Sequence, residues 1–230
     1  MKLRRADKVN KLKDILYYLP LNKLITECIF TELFNLISYK KQEKIKCYHF
    51  DIDKKLSLYS DLLVRVIACE NLYVNNSDLL FHESKYGKPY IKGYPDFHYN
   101  ISHTRNAIVL VISTTPVGVD IEKIKKAALS IAKRFFAANE QDYIFKDNND
   151  FCKRFYEVWT KKEAYIKYIG KGLSIPLNSF DILDENISKQ IHTYERNDYI
   201  ISVCSKSPNP NFNVIELSEI DLENLAIKCL

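Results

Sequence analysis

Glycine is scarce in this chain, five residues in 230, so the few positions that keep it mark where the backbone needs freedom. No disorder-like tract dominates, and a hydrophobic content of 47% indicates a globular protein that buries its core as one large or two smaller domains. No apolar stretch reaches the roughly 20 residues of a membrane-spanning helix, and no membrane association is expected. The six cysteines, Cys28, Cys47, Cys69, Cys152, Cys204 and Cys229, lack metal-ligand spacing, and no signal peptide is recognisable. They read as reduced thiols of a cytoplasmic protein. No Gly-x-Ser-x-Gly elbow is present, and Ser102 and His103 are adjacent rather than arranged as nucleophile and base, which argues against a serine hydrolase. The net charge is only +5, the lysines are spread widely and no nucleic-acid-reading motif occurs. Nucleic acid is therefore not an expected partner, whereas smaller polyanions and acidic proteins are.

Four of the five glycines, Gly87, Gly118, Gly170 and Gly172, stand in or beside two acidic segments or a lysine-bearing turn. The first acidic segment, Val-Gly-Val-Asp-Ile-Glu at 117–122, reads as a buried strand. Side chains alternate along a strand, so Asp120 and Glu122 share one face while Val117, Val119 and Ile121 take the other. Two neighbouring carboxylates in apolar surroundings repel unless a cation or base compensates them. An oxygen-only donor set suits Mg²⁺, Mn²⁺ or Ca²⁺ better than zinc. The plainer alternative is a strand whose acids face water.

The second segment, Trp-Thr-Lys-Lys-Glu-Ala-Tyr-Ile-Lys at 159–167, reads as part of a helix from about 151 that stops at Gly170. Glu163 and Lys167 are four apart and so share a face, and a simple surface ion pair would explain the spacing. Trp159 lies on that face one turn earlier and implies packing rather than full solvation. Between the two segments and the Gly87-Lys88 turn lies Asn-Ile-Ser-His-Thr at 100–104. Its hydroxyls and imidazole suit either a phosphate or ordinary turn and capping bonds.

Along the chain, residues 11–46 read as helical with a break at Pro20, and 58–72 as a second helix with Leu62, Leu63, Val66 and Ile67 on its apolar face. Extended segments follow up to Glu122, then a helix over 130–136, a polar stretch over 146–150 and the helix over 151–170. Strands are expected near 180–183 and 199–204, followed by an irregular tail and a short final strand or helix. The segments 105–113 and 196–205 resemble each other with one insertion, and each follows a glycine-lysine turn, which points to an internal repeat.

The ordered set Tyr-Gly-Lys-Pro (86–89), Asn-Ile-Ser-His (100–103), Val-Gly-Val-Asp-Ile-Glu (117–122), Ala-Lys-Arg-Phe-Phe (132–136), Trp-Thr-Lys-Lys-Glu-Ala-Tyr-Ile-Lys (159–167) and Gly-Lys-Gly-Leu (170–173) resembles the surfactin-type 4'-phosphopantetheinyl transferases over roughly residues 40–205. The resemblance implies an α/β (α+β) fold of two similar halves forming an intramolecular pseudo-dimer, here 1–115 and 116–230, and a monomer. It implies transfer of the phosphopantetheine arm of coenzyme A to a serine of an apo acyl or peptidyl carrier protein, releasing adenosine 3',5'-bisphosphate. Asp120, Glu122 and Glu163 would then bind Mg²⁺. Glu163 would activate the serine directly or through a water, and Lys167 would offset phosphate charge.

Lys88, Ser102 and His103 would face the nucleotide and its 3'-phosphate. Lys41 and Lys44 fall where the family has basic residues near its coenzyme A pocket, and Ser57 where it has a small hydroxyl. The chain departs from the family at 50–60, which lacks the usual arginine-rich run and carries Ser60 at a glycine position. A solvated basic helix face is the plainer reading of Lys40, Lys41, Lys44 and Lys46. The segment 124–136, with Leu129, Ile131, Phe135 and Phe136, would contribute to an apolar dock for a carrier helix, although a core role for the last three is the alternative. A Mg²⁺-dependent phosphohydrolase or nucleotidyl enzyme and a catalytically silent coenzyme A-binding module are the rival readings.

Overall fold

The computed structural model describes residues 14–22, 24–127, 129–147, 150–207 and 210–230. The first half comprises β1 (Ile15–Pro20), α1 (Glu27–Phe34), α2 (Tyr39–Lys46), α3 (Asp51–Leu72), β2 (Phe81–Glu83), β3 (Pro89–Ile91), β4 (His98–Thr104) and β5 (Ala107–Ser113). The second comprises β6 (Val117–Lys123), α4 (Leu129–Phe135), α5 (Ala138–Phe145), α6 (Phe151–Ile169), α7 (Glu185–Ser188), β7 (Ile191–Arg196), β8 (Tyr199–Ser205), β9 (Asn213–Glu216) and α8 (Glu219–Cys229).

Two sheets form the centre, with strand orders β4-β5-β1-β9 and β6-β8-β7. Alternation decides which residues meet. Leu16, Tyr18, Val109 and Val111 of the first sheet pack with Val119, Ile121, Ile201 and Val203 of the second. The opposite face of the first sheet, with Tyr17, Leu19, Leu110 and Ile112, packs on Leu58, Leu62 and Val66 of α3, on α1 and α2, and on Leu222 and Ala226 of α8. Beyond the second sheet, Ile200 meets Phe155 and Val158 of α6, with α4 and α5 alongside. The molecule is thus layered helix, sheet, sheet, helix. Both second hairpin strands, β5 and β8, are buried at all seven positions. This is why their sequences read as uninterrupted apolar runs.

The expected repeat corresponds to a shared plan. In the first half a strand (β1), helices and a hairpin (β4-β5) give the order β4-β5-β1. In the second, β6, helices and the hairpin β7-β8 give β7-β8-β6, with β1 and β6 each antiparallel to the second hairpin strand. The plan breaks at one edge. β1 gains a parallel partner, β9, and Phe212 N–H, just before it, donates to Tyr194 Oη of β7 at 3.0 Å. The corresponding edge of β6 faces β4.

Several expectations need correction. Residues 15–20 are a strand, not a helix, because Ile-Leu-Tyr-Tyr-Leu is a β-favouring run paired on both sides; residues 11–13 of that expected helix lie outside the described residues. The helix expected over 58–72 starts seven residues earlier, at Asp51. Residues 180–183 form turns, and the missed strand is β7, whose alternating, half-exposed face obscured it. The 100–104 segment is strand, as the extended reading up to Glu122 expects, so its polar side chains do not serve a turn. The tail supplies both a strand and a helix. Within the polar stretch 146–150, residues 148–149 are outside the described set.

Candidate active site

The site forms where the free edges of the two sheets meet beneath α6. Gly118 makes this possible: a Cβ there would lie 2.1 Å from Ala164 O and 2.3 Å from Tyr168 N, both backbone atoms. Absence of a side chain therefore lets α6 lie directly on β6, at the residues that immediately follow Glu163 and Lys167. The helix ends as expected, with Gly170 at φ 71 and its N–H bonded to Ile166 O.

Asp120 is buried, and three donors fix the seam around it. Ser102 Oγ of β4 donates to Asp120 Oδ1 at 2.8 Å. Lys167 Nζ donates to Asp120 Oδ1 at 2.7 Å, to Ser102 Oγ at 2.8 Å and to Val119 O at 3.1 Å. Asn100, which the sequence reading did not single out, accepts from Val119 N–H at 2.8 Å through Oδ1 and so satisfies the edge of β6. The expected helical pair between Glu163 and Lys167 does not form as an ion pair; Lys167 reaches across to the strand instead.

Asp120 Oδ2 is buried and has no hydrogen-bond partner among the described residues. Glu122 and Glu163 lie within range of its charge. Burial, then the Asp120 carboxylate, raises the Glu122 pKa to about 7, and the same two causes raise that of Glu163. Three carboxylates against the ammonium of Lys167 and that of Lys125, which acts on Glu122, leave excess negative charge, and the orphaned oxygen lacks a donor, so the donor set suits a hard cation. Among the described residues no three His, Cys, Asp or Glu side chains already converge as a finished cage.

Around this centre the remaining candidates divide. Glu163, Lys167, Lys88 and Asn100 line one pocket of about 200 Å³, together with Tyr86, Gly87 and Gly170. Lys88 Nζ donates to Val117 O at 2.9 Å and to Tyr168 O at 3.0 Å, and burial lowers its pKa to about 8. It staples the 86–89 turn to β6 and α6 while lining the pocket. His103 lies on the other side of the seam, in a groove of about 520 Å³ with Phe50, Asp53, Leu56 and Arg105. Burial, then the charges of Lys167 and Lys41, lowers the pKa of its imidazole. The charge of Lys41 thus reaches His103, although Lys41 is not among the residues lining the groove. Ser57 is buried on α3 and Lys44 is exposed on α2; neither bonds to the other candidates.

Of the apolar residues at 129–136, Phe136 is buried, Ile131 is half-buried, and Leu129 and Phe135 are exposed. Trp159 packs on Phe136 and stacks on Phe155. Beneath them lies a fully buried pair, Lys162 with Glu140 at 2.7 Å, that sequence reading missed because burial of a charge leaves no local pattern. Lys162 also donates to Leu177 O and Phe180 O, tying three segments of the second half together.

Two α/β halves meet at a carboxylate-lysine centre flanked by one pocket bearing Lys88 and Lys167 and one groove bearing His103 and Arg105, an arrangement that suits an enzyme acting on an anionic substrate. The comparisons narrow that class. A family model described as the 4'-phosphopantetheinyl transferase superfamily matches residues 116–217, and one for the 4'-phosphopantetheinyl transferase N-terminal region matches 25–115. The chain is 36% identical to 4'-phosphopantetheinyl transferase Sfp of Bacillus subtilis (strain 168) over 189 residues, 76% of this chain and 84% of that protein. It is 39% identical to 4'-phosphopantetheinyl transferase gsp of Aneurinibacillus migulanus over 170 residues, 74% and 70% respectively. A more distant relative is the L-aminoadipate-semialdehyde dehydrogenase-phosphopantetheinyl transferase of Xenopus laevis, 28% identical over 167 residues, 66% of this chain and 55% of that one. The chain belongs to the surfactin-type 4'-phosphopantetheinyl transferase family.

Proposed function

We propose that this enzyme transfers the 4'-phosphopantetheine arm of coenzyme A to a serine of an apo acyl or peptidyl carrier protein in a Mg²⁺-dependent reaction that releases adenosine 3',5'-bisphosphate. The observation that carries the reading is the seam itself: Lys167, Ser102 and Asp120 locked together, with Asp120 Oδ2 left unpartnered. Asp120, Glu122 and Glu163 would hold Mg²⁺, which when bound supplies positive charge to the pyrophosphate. Lys167, already at the seam, adds a second positive charge there and aligns the phosphates.

The carrier serine Oγ attacks the phosphorus next to pantetheine, and the bond from that phosphorus to the oxygen of the departing adenosine 3',5'-bisphosphate breaks. Glu163 accepts the serine proton, directly or through a water, and burial, then the Asp120 carboxylate, raise its pKa and make it a stronger base than a free glutamate. His103, Lys41, Lys44, Ser57 and Lys88 serve the nucleotide end, with the groove beside His103 taking the 3'-phosphate side. The carrier docks on α4, where exposed Leu129 and Phe135 stand among Lys125, Lys126, Lys133 and Arg134, a mixture that fits an acidic helix with an apolar stripe. The enzyme acts as a cytoplasmic monomer.

The test is intact-protein mass spectrometry of apo carrier proteins incubated with the enzyme, coenzyme A and Mg²⁺, with a chelator control. A gain of one phosphopantetheine that chelator prevents is the expected result. Hydrolysis of coenzyme A without any carrier, or binding without turnover across acyl and peptidyl types, would overturn it.

A further inference from the structure

Away from the carboxylates, a polar network in the first half surrounds Arg65 on α3, a residue only 4% exposed. Arg65 Nε donates to Asp61 Oδ2 at 2.5 Å and Nη1 donates to Asn76 Oδ1 at 2.7 Å. The guanidinium also lies over the Phe81 ring, 4.8 Å from its centroid. Asn76 passes the connection on, its Nδ2 donating to Leu36 O at 2.7 Å. Leu36 lies in the short turn between α1 and α2. The other end of that turn is fastened by α2 itself, through Gln42 Nε2 to Phe34 O at 2.8 Å. This chain, which begins at Asp61, holds the turn before α2, while Ile45 anchors the helix in the core.

Within the first turn of α2 stands Lys41. Its ammonium is partly removed from water, and burial lowers its pKa, with Asp61 opposing that shift and Lys44 and Arg65 adding to it. Among the described residues the Lys41 ammonium makes no hydrogen bond or ion pair. A partly desolvated ammonium without an acceptor is costly to keep, and an anionic ligand relieves the cost. Asp61 is the carboxylate whose charge reaches Lys41, yet its Oδ2 is already engaged by Arg65.

We infer that Asp61, Arg65 and Asn76 are positioning residues for coenzyme A: Asn76 fixes α2 through Leu36 O, and Arg65 occupies Asp61, so that Lys41 is held open beside His103 for a phosphate. This rests on the reading that coenzyme A binds at Lys41 and His103. Order imposed before binding does not have to be imposed by the ligand, so the contribution belongs to affinity rather than to the chemical step.

The test is a double-mutant cycle on the full chain, with the coenzyme A Kd measured by calorimetry and kcat measured at saturating coenzyme A with an apo carrier. Asn76 is half-exposed, and Asn76→Ala is expected to fold. It should weaken coenzyme A binding about fivefold, leave kcat unchanged, and weaken binding no further in a Lys41→Ala background. Asn76→Gln, which displaces the amide by one methylene, should behave in the same way and covers the case in which the alanine variant does not fold. A Kd unaffected by both Asn76 variants, or an equal loss with and without Lys41, overturns the inference while leaving Lys41 as a ligand. A Kd unaffected by Lys41→Ala overturns the inference and the assignment of Lys41 together.

Discussion

At the scale of single residues, Glu163 and Lys88 illustrate two uses of burial. Glu163 is held away from water beside another carboxylate, which favours its protonated form in the free enzyme. Replacing it with glutamine removes both a ligand and a base while keeping the shape. Glu163→Gln is therefore expected to lower kcat by about 100-fold or more and to leave the melting temperature of the free enzyme unchanged or slightly higher. A rate near that of the wild type would remove Glu163 from the chemistry. Lys88 carries a different signature, readable in stability. Its pKa falls from 10.5 to about 8 on folding because burial disfavours the charged form. Between about pH 8 and 10.5 the unfolded chain holds a proton that the folded chain has released, so the Lys88 contribution makes stability rise with pH across that window. Urea unfolding at pH 8, 9 and 10 should show that rise in the wild type relative to Lys88→Met. Parallel pH profiles would mean that Lys88 stays charged when folded.

Elements enter through the contact between β6 and α6. Gly118→Ala places a methyl group against two backbone atoms of α6 that have nowhere to go. A loss of about 3 kcal/mol or more is expected, together with a melting temperature lower by roughly 6–12 °C at this chain length. Activity should fall further than the fraction folded accounts for, because α6 carries Glu163 and Lys167. A variant that melts like the wild type would show that the helix can ride higher on the strand. The same contact shows what a sequence makes legible. β6, α6, α4 and the buried run of β5 could be read directly, since alternation, capping glycine and helical spacing are local properties. The carboxylates and Lys167 were legible for the same reason. What escaped depends on distant partners. β1 has a β-favouring run too short to stand out beside its neighbours, and its pairing with β5 and β9 is what makes it a strand. Asn100 seemed a turn residue and instead closes a strand edge nineteen positions away. The Glu140–Lys162 pair leaves no trace until the fold brings α5 beneath α6.

For the whole molecule, the layered plan offers two comparable seams between the sheets but fills them differently. Where β6 faces β4, polar side chains bridge the gap and the acidic centre forms. At the corresponding edge of β1, β9 takes the available backbone bonds and the segment preceding it engages Tyr194. The carboxylate pair is also confined to one half: counted through the strand registers, Tyr17 and Leu19 stand where Asp120 and Glu122 would recur. Calorimetric titration with coenzyme A should accordingly give one binding event per chain, and two equivalent events would contradict a filled second seam. The return of β9 and α8 to the first half also bears on dividing the polypeptide. If the chain were severed between residues 115 and 116, one fragment would lack an edge strand and a covering helix, while the other would expose the apolar face of its three-stranded sheet. Neither piece could complete its core alone, and tethering them to two interacting proteins would make restored catalysis a reporter of proximity.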